Sequence, residues 1–455
     1  MAGESSISAL RADEDAIARA VRAAEDMRRP LLLIFLATRP CFIKLASLIH
    51  AADAVGAPHL VVDSGQHFEE HLTAAQHELG YGHRIAVHLD VRGDLIERSG
   101  DVAFKLKALA ALLSRHRLRQ PAVPVVSGDT STAGTIPSLW YLHTGLRSVH
   151  VEAGLRSEGP AWRWPASASE ALSGQRAARW VRFPDEPYPE GLCTRLASVA
   201  SDVLFAPVER NRRHLQAEAY RPEQIAIVGS LSSDAVILAR QCTGALDALL
   251  NQAPRLASGG PWLRVDVHRR ENMTAPKLRA LLDGIARFAA QGAPVVLVRT
   301  NAFSRAIDEH GLAEHLADAE RRGVLVTPPW PSYASVVQFL ASPRCHMILT
   351  DSGGLQEEAH ALGTPCFTAR RSTDRPETIL DVADSPSLGG NRLLPLFSGA
   401  FIADGLTIGW SRHAAVSTRT PGDLYGREVG AAMMKRLCAY QPRGAVSPPA
   451  PAQGA

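Results

Sequence analysis

The stretch CHMILTDSGGLQEE, residues 345–358, joins an apolar run to a glycine-containing turn and then to a helical pattern. A strand, turn and helix of this kind point several backbone N–H groups, and the positive end of the helix dipole, at one spot that favours a phosphate. Ser352, Gly353 and Gly354 allow the backbone to approach a diphosphate closely, and Glu358, one turn into the helix, can reach the hydroxyls of an attached ribose. The same pattern also fits an ordinary strand-to-helix turn without a ligand. The rest of the chain must therefore show whether a phosphate binds here.

Apolar runs alternate with helical patterns through most of the chain. The continuous run over 30–36 is typical of a strand that is covered on both faces of a sheet. Further runs lie at 58–62, 122–126, 147–151, 262–267, 294–298, 324–326, 347–349 and 365–367. This alternation predicts an α/β fold with parallel sheets and right-handed crossovers, in which ligands bind at the carboxyl ends of the strands. The length of 455 residues fits two doubly wound domains better than one core.

Four segments are expected along the chain. They are an N-terminal helical extension over 1–29, a first Rossmann-like domain over 30–235, a second over 236–440 and a disordered Pro, Ala and Gly-rich tail over 441–455. Residues 156–188 break the strand rhythm of the first domain with three tryptophans and several arginines, and are predicted to be an insertion. Long irregular segments act as lids, binding loops or oligomer contacts, although a solvated insertion without a role is the alternative.

Composition and charge exclude several classes of protein. The 49 basic and 46 acidic residues give a net charge of +3, which predicts no nucleic-acid partner but allows an anionic small ligand. We expect no membrane partner and a cytoplasmic location, because no apolar run is long enough for a span and a signal-peptide pattern is lacking. The six cysteines and 17 histidines show no zinc-type or His-Glu-x-x-His spacing, so no metal is expected.

Polar residues follow several of the apolar runs, where a doubly wound sheet would place them on one rim. Arg39 and Lys44 offer two cations to a diphosphate. Asp129, Glu152 and His268 are candidates for acid and base chemistry on a bound substrate. If Asp129 and Glu152 lie close together, repulsion and burial would raise the pKa of at least one carboxyl group, leaving one to donate and one to accept a proton.

Each of these candidates also has a simpler explanation. Asp129 could cap the helix that begins near Thr130, because Asp is a preferred N-cap residue. Glu152 could pair with Arg156 at four residues' spacing, and His268 could be a hydrogen-bonded histidine of the core. Two carboxylates and a histidine on facing rims together favour the chemical interpretation.

A series of motifs in this sequence resembles the UDP-N-acetylglucosamine 2-epimerase family. The motifs lie at 38–40 with 44, 65–67, 128–130, 150–156, 189–190, 205–207, 268–272, 350–358 and 373–377. Several of them are long, and their order along the chain is the order found in the family. The resemblance covers most of the chain.

The resemblance implies a GT-B architecture, in which two Rossmann-like domains hold a UDP-sugar in the cleft between them, and usually a homodimer. In the family reaction a base removes the proton at C2 while UDP leaves C1. UDP is then added back to the resulting glycal with the opposite C2 configuration. This chemistry needs neither a redox cofactor nor a metal, so we expect a cofactor-free isomerase that resembles UDP-N-acetylglucosamine 2-epimerase.

The resemblance also implies a role for each residue of the site. Catalytic roles fall to Arg39, Asp129, Glu152, Glu190 and His268, with His268 facing the other four across the cleft. Substrate-binding roles fall to Lys44, Arg269, Ser352, Gly353, Gly354, Glu358 and Arg370.

The chain departs from the family pattern at places that bear on the substrate. Cys41 stands where the family commonly has Glu, and 189–194 reads PEGLCT where the family commonly reads Pro-Glu-Glu-x-Asn-Arg. The insertion 156–188 lies between two of the expected catalytic carboxylates, so it can reshape the wall that faces the sugar. Residues 66–69 match only part of the segment that helps to bind a regulatory second UDP-sugar in bacterial members, and we do not predict such regulation.

Sequence leaves the preferred nucleotide-sugar, the pathway and three other activities open. A hydrolysing epimerase would let water intercept the intermediate and release ManNAc with UDP. A GT-B glycosyltransferase would pass the sugar to an acceptor held by the insertion. A nucleotide-sugar-binding protein without turnover is disfavoured, because the carboxylates and the histidine are all present.

Overall fold

The computed structural model describes residues 10–65, 74–184, 186–258, 260–384, 390–414 and 419–442. The strands are β1 (Arg11–Ala12), β2 (Leu31–Leu36), β3 (His59–Asp63), β4 (Ile85–His88), β5 (Ala122–Ser127), β6 (Ser148–Val151), β7 (Glu158–Pro160), β8 (Trp180–Arg182), β9 (Ser201–Ala206), β10 (Ile225–Ile227), β11 (Trp262–Asp266), β12 (Val295–Val298), β13 (Val324–Thr327), β14 (Cys345–Thr350), β15 (Cys366–Thr368) and β16 (Asn391–Leu393).

The helices alternate with these strands. They are α1 (Glu14–Met27), α2 (Arg39–Ala54), α3 (Ala75–Glu78), α4 (Leu95–Arg115), α5 (Ser131–Thr144), α6 (Ala168–Gly174), α7 (Glu190–Val199), α8 (Glu209–Ala217), α9 (Leu231–Gln241), α10 (Ala245–Gln252), α11 (Arg255–Ser258), α12 (Ala275–Ala289), α13 (Asn301–Glu309), α14 (Ala313–Arg321), α15 (Tyr333–Ala341), α16 (Gly353–Leu362), α17 (Glu377–Leu380), α18 (Gly399–Ala414) and α19 (Val429–Cys438). Single 3₁₀ turns lie at Gly82–Arg84, Pro222–Gln224 and Arg270–Asn272.

The chain divides into two compact units by the contacts its residues make. The first unit consists of 1–155, 185–234 and 428–455, and the second of 156–184 and 235–427. Each unit contains one large sheet with its own hydrophobic core. Among the described residues, no helix has the length and apolar content needed to cross a bilayer.

The first unit is built on an eight-stranded sheet in the order β1-β4-β3-β2-β5-β6-β9-β10. Every neighbouring pair is parallel except β1 and β4, which are antiparallel. All six residues of β2 are buried, as expected for a strand with helices on both faces. Strand order reverses between β2 and β5, so their carboxyl ends mark the position where such sheets bind ligands.

The second unit contains a six-stranded parallel sheet in the order β13-β12-β11-β14-β15-β16. Strand order reverses here between β11 and β14, whose last residues, Asp266 and Thr350, are paired in the register. The two doubly wound sheets are as the apolar runs predicted. The turn after β14 therefore lies at the ligand-binding edge of its own sheet.

Residues 156–184 belong to the second unit, whereas the sequence placed the segment 156–188 in the first domain. Ala168, Ala171 and Leu172 lie in the core of the second unit. The side-chain amide of Gln175 donates to the carbonyl of Leu393 and accepts from its N–H. The segment also contains the short antiparallel pair β7 and β8, whose three-residue strands are too short to show a period in the sequence.

The C-terminal helix α19 packs on the first unit, although the sequence assigned it to the second domain. The backbone N–H of Gly430 donates to Asp234 Oδ2 at 2.8 Å. A Cβ atom at Gly430 would lie 2.6 Å from the carbonyl oxygen of Ser47 in α2, so only glycine allows the two helices to approach this closely. Residues 156–184 and 428–440 thus belong to different units from those that the sequence predicted. Residues 1–9, 66–73 and the tail beyond 442 lie outside the described part.

Candidate functional site

The rim of the first sheet brings Lys44, Ser127 and Glu152 together from α2, β5 and the end of β6. Lys44 Nζ lies 2.5 Å from Glu152 Oε1, and Ser127 Oγ donates to Glu152 Oε2 at 3.2 Å. Lys44 is 6% exposed and Glu152 is 4% exposed. A buried carboxylate needs such partners, because transfer of an unpaired charge out of water is costly. Glu152 therefore pairs with Lys44, a contact that the sequence did not suggest.

The backbone of Glu152 adopts a left-handed conformation with φ of 64°. For a residue other than glycine this conformation costs roughly 1–3 kcal/mol and persists only where the surroundings hold it. Gly128 also has a positive φ of 76°, and a Cβ atom there would lie 3.4 Å from Glu152 Oε2. The carboxylate of Glu152 thus lies over the Gly128 backbone, held in place against local strain.

A second group of acids surrounds Cys193 in the same unit. Burial, and then the nearby carboxylates of Asp129 and Glu190, raise the pKa of the Cys193 thiol to about 12. Asp129 follows β5 and Glu190 begins α7, so both half-buried carboxylates face one thiol from different elements. Thr130, and not Asp129, caps α5, because its hydroxyl accepts from the N–H of Ala133 at 3.1 Å. The capping explanation for Asp129 is therefore wrong.

Two further residues of this rim support the backbone. His150 is fully buried, and its ring nitrogens lie 2.9 Å from Ser198 Oγ and 2.9 Å from the carbonyl oxygen of Gly128. Cys41, which replaces the family's usual Glu, is buried with its sulfur 3.8 Å from the carbonyl oxygen of Ser127, and burial raises its pKa. Arg39 begins α2 beside it. These contacts connect His150 and Cys41 to the backbone at Gly128 and Ser127.

In the second unit, Asp351 connects the loop after β11 to the end of β14, where strand order reverses. The sequence did not predict this role. It is fully buried and follows β14 directly. Its carboxylate accepts from the backbone N–H groups of His268 and Arg269, both at 3.0 Å, and from the Asn272 side chain at 2.9 Å. These bonds tie the loop after β11 to the end of β14.

His268 is a partly exposed imidazole between two carboxylates. Its Nδ1 lies 3.4 Å from Asp266 Oδ1 and 3.4 Å from Asp351 Oδ1. Burial alone would lower the pKa of His268, but the carboxylates of Asp351 and Asp266 outweigh it and raise the pKa. The side chain remains 40% exposed, so His268 is not simply a core histidine. It can present a cation at the edge of the sheet.

The first turn of α16 carries the predicted phosphate-binding residues. Ser352 is the N-cap, and its hydroxyl accepts from the N–H of Leu355 at 3.4 Å. A Cβ atom at Gly353 would lie 2.8 Å from Asp374 Oδ2, so glycine is required here by a neighbouring carboxylate. A Cβ atom at Gly354 would lie 3.9 Å from Glu358 Oε1, which places the Glu358 carboxylate beside this turn.

Arginines gather around Asp374 next to the same helix. Arg370 Nη1 and Arg375 Nη1 each lie 3.0 Å from this carboxylate, and Arg269 Nη2 lies 3.7 Å from it. Burial opposes ionisation, but these guanidinium groups hold the pKa of Asp374 well below its usual range. Arg370 also lies 3.4 Å from Glu271 Oε1. Arg370, predicted to contact phosphate, is thus oriented here by acidic side chains.

Behind this cluster lies a fully buried acid that sequence reasoning missed. Glu377 accepts from the Tyr425 hydroxyl at 2.8 Å, and its neighbour Arg375 is paired with Glu357. Burial raises the pKa of Glu377 to about 7, although Arg375 opposes the shift. The only signal in the sequence was the TDRPE motif itself, which does not show that its last residue is buried.

The raised pKa of Glu377 predicts a pH-dependent stability. The folded protein binds more protons than the unfolded chain between about pH 4.5 and pH 7, so the free energy of unfolding falls as pH rises through this window. Glu377→Gln should therefore gain stability over the wild type with rising pH, by up to about 3 kcal/mol above pH 7. Urea unfolding between pH 5 and 8 measures this, with exposed Glu309→Gln as the control. A constant difference between Glu377→Gln and wild type would contradict the assignment.

Within the described ranges, no group of three or more His, Cys, Asp or Glu side chains is arranged to hold a metal. The segment 66–69, discussed above for a second UDP-sugar, lies outside the described residues.

Known proteins with similar sequences include UDP-N-acetylglucosamine 2-epimerases. The sequence model of the UDP-N-acetylglucosamine 2-epimerase family matches residues 183–385. UDP-N-acetylglucosamine 2-epimerase of Salmonella typhimurium strain LT2 is 29% identical over 362 residues, which cover 76% of this chain and 84% of that protein. The chain is thus similar to the UDP-N-acetylglucosamine 2-epimerase family over most of its length. The enzyme of that name from Methanocaldococcus jannaschii is 25% identical over 365 residues, covering 79% and 89% of the two chains.

Solved structures of the epimerase family share this fold. The crystal structure of the M. jannaschii enzyme in complex with UDP-GlcNAc and UDP has a TM-score of 0.69 at 23% identity, over 90% of this chain and 100% of that one. The likeness confirms the predicted GT-B fold class. A Pseudomonas aeruginosa relative, 26% identical over 76% of this chain and 85% of its own, is named as a UDP-2,3-diacetamido-2,3-dideoxy-D-glucuronate 2-epimerase. Relatives of the chain thus differ in the sugar that they are named for.

Proposed function

We propose that this epimerase-family protein inverts C2 of UDP-N-acetylglucosamine. A base takes the proton from C2 while the C1–O bond to UDP breaks, and the electron pair of the C–H bond forms the C1–C2 double bond of a glycal. UDP then adds back to C1 as a proton reaches the opposite face of C2. Atoms and electrons balance without a redox partner, and the product is UDP-N-acetylmannosamine.

The observation that carries this proposal is the strained, buried Glu152 beside Lys44 and Ser127. Reversal at one carbon needs proton carriers on both faces of the sugar, and the first unit offers carboxylates in two environments. Glu152 is held by a cation and a hydroxyl, whereas Asp129 and Glu190 are half-buried beside Cys193. We assign proton transfer at C2 to Asp129 and Glu152, with Glu190 beside them and Arg39 as a cation for the leaving diphosphate.

The second unit supplies the UDP site in this proposal. The diphosphate binds the backbone N–H groups of Ser352, Gly353 and Gly354 at the positive end of the α16 dipole. His268, whose raised pKa favours the cationic form, stabilises the charge that develops on departing UDP. Arg269 and Arg370, oriented by Asp374, provide further positive charge.

Incubation with UDP-GlcNAc in deuterium oxide tests the proposal. Deuterium at C2 of the recovered UDP-sugar, with UDP-ManNAc as product, is the expected result. Release of free ManNAc and UDP would instead identify a hydrolysing enzyme. Absence of exchange, together with sugar transfer to an added acceptor, would replace the proposal by glycosyl transfer.

Glu358 gives a direct test of the nucleotide site. Its carboxylate lies beside the first turn of α16, within reach of the ribose hydroxyls of a UDP bound there. Loss of a hydrogen bond to a charged group costs about 1.5–3 kcal/mol, so Glu358→Ala should weaken UDP binding by roughly tenfold or more. Calorimetric titration with UDP measures this, with exposed Glu309→Ala as the matched control. Unchanged affinity would remove Glu358 from the site.

We further propose that the protein acts as a homodimer. Leu192, Leu196 and Val199 are exposed at helical spacing along one side of α7, an apolar stripe that a second copy would cover. Val199→Glu should shift the mass seen by light scattering from dimer to monomer. Ile227→Glu, an exposed apolar position outside this stripe, should not. A monomeric wild type would reject the proposal.

A cytoplasmic location is proposed on the chemistry of the cysteines. All six thiols are free, and four of them are buried. Free thiols persist in a reducing compartment.

A further inference from the structure

A cavity of about 550 Å³ opens on the second unit, apart from the first turn of α16. We call it the aromatic pocket and define it by Trp162, Trp164, Phe397, Phe401, Arg163 and Arg371. Its tryptophans come from the segment 156–184, and its phenylalanines follow β16 or lie in α18. The volume lies within the range of small-molecule sites, about 300–1,000 Å³.

The aromatic rings of the pocket form a continuous chain of edge-to-face contacts. Trp162 and Trp164 have centroids 5.7 Å apart, Trp164 and Phe397 5.6 Å, and Phe397 and Phe401 5.2 Å. Each contact fixes a ring against its neighbour, so the wall is preorganised for a ligand. The interplanar angles of 62–70° leave no parallel pair of rings that could sandwich a flat nucleobase.

The charged side chains that line the pocket are positive. Among the residues that the structure describes, the ionisable side chains that line it are those of Arg163 and Arg371, and both are exposed. The guanidinium carbon of Arg371 lies 4.8 Å from the centroid of the Phe397 ring, so a cation is already oriented against the aromatic wall. A planar guanidinium of this kind binds a carboxylate through two parallel hydrogen bonds.

We propose that the aromatic pocket binds an anionic saccharide. The C–H faces of a pyranose ring pack on inclined aromatic faces, and a carboxylate on the sugar pairs with Arg371 and Arg163. Trp164 and Arg371 are the residues that set this specificity. The proposal gives residues 156–184 a role beyond C2 inversion, because the segment brings the tryptophans of a second sugar site onto the second unit.

Arg371 directly follows Arg370, so the pocket begins one residue away from the arginine cluster around Asp374. The pocket uses none of the residues assigned above to UDP or to C2 chemistry. Binding there is therefore separable from turnover, and either property can be lost while the other is kept.

Saturation-transfer NMR with glucuronic acid and with glucose tests the proposal, because the two sugars differ only at C6. We expect saturable binding of glucuronic acid, weaker binding of glucose, and loss of roughly tenfold in glucuronate affinity in Trp164→Ala and in Arg371→Gln. Trp180→Phe is the matched control: Trp180 lies in the same segment but donates to the carbonyl of Gln175 at 2.7 Å, away from the pocket. It should bind glucuronic acid like the wild type.

Urea unfolding of the same variants shows that they are folded, and any affinity of the wild type for UDP should be unchanged in them. Equal binding of glucose and glucuronic acid, displacement of glucuronic acid by uridine monophosphate, or no saturation transfer from either sugar would overturn the proposal. None of these results bears on C2 exchange, so the aromatic pocket and the epimerase reaction fail or stand independently.

Discussion

Glu152→Gln is expected to lower the rate of deuterium incorporation at C2 of UDP-GlcNAc by roughly 10²–10⁴-fold, the usual contribution of a positioned acid or base. Asp129→Asn should have a loss of similar size. Glutamine and asparagine keep the shape of the side chain but cannot accept the C2 proton. UDP affinity should remain unchanged, because neither of these two carboxylates is assigned a contact with UDP. Proton NMR of the recovered sugar and calorimetry with UDP measure the two properties.

The ion pair with Lys44 requires a charge-balanced control. Glu152→Gln leaves the buried ammonium group of Lys44 opposite a neutral amide, which can cost about 3–5 kcal/mol. The double variant Lys44→Met with Glu152→Gln removes both charges and should restore stability without restoring exchange. Glu209→Gln, at a surface pair with Arg212, should exchange at the wild-type rate. Rapid exchange in the double variant would remove Glu152 from proton transfer.

Asp351→Ala should produce the largest loss of stability in the second unit. The substitution leaves the N–H groups of His268 and Arg269 and the amide of Asn272 without the carboxylate that accepts from them. Each buried donor left unpaired costs about 1–3 kcal/mol, so a loss of roughly 3 kcal/mol or more is expected in urea unfolding. UDP affinity should fall as well, because the loop that carries His268 loses its anchor.

Asp308→Ala provides the comparison for Asp351, since it removes an exposed aspartate from the same unit. It should unfold at the wild-type urea concentration and bind UDP normally. Wild-type stability in Asp351→Ala would show that water replaces the carboxylate, and the proposed support of His268 would then be wrong.

The sequence predicted the two sheets because their central strands are continuous apolar runs. β2 is buried along its whole length and β14 at every position except His346, and each is followed by polar residues where its helix begins. Periodicity of this kind is a local property, and it located the ends of the strands without knowledge of the tertiary contacts. The candidate residues at these edges could be predicted for the same reason.

The sequence could not predict which polar groups pair with one another. Lys44 and Glu152 are 108 positions apart, and Asp351 reaches back 83 positions to His268. No local pattern carries such information. The left-handed backbone of Glu152 could not be predicted either, because glutamate rarely adopts a positive φ and nothing in the sequence indicates it here. The proximity of Asp129 and Glu190 to one thiol depends on the packing of α5 against α7.

The sequence could not predict that 156–184 and α19 belong to the units that they join, for a related reason. Residues 156–184 lie between strands of the first sheet in the chain, yet Arg176 donates to the carbonyls of Ile379 and Val382. The position of a segment in the chain suggests that it belongs to the domain of its sequence neighbours. The unit to which it belongs is decided instead by buried contacts between residues far apart in the sequence. The same holds for α19, whose only sequence signal was its position after the second domain.

Helix α19 has a consequence for how this chain acquires its fold during synthesis. The first unit lacks one of its own helices until the ribosome has translated residues 235–427 of the second unit, because α19 follows them in the chain. The surface of α2 around Ser47 stays uncovered during that time, because the helix that packs there begins at Val429. A nascent chain stopped after the first sheet would therefore expose this surface, and chaperones that recognise apolar patches would find it there.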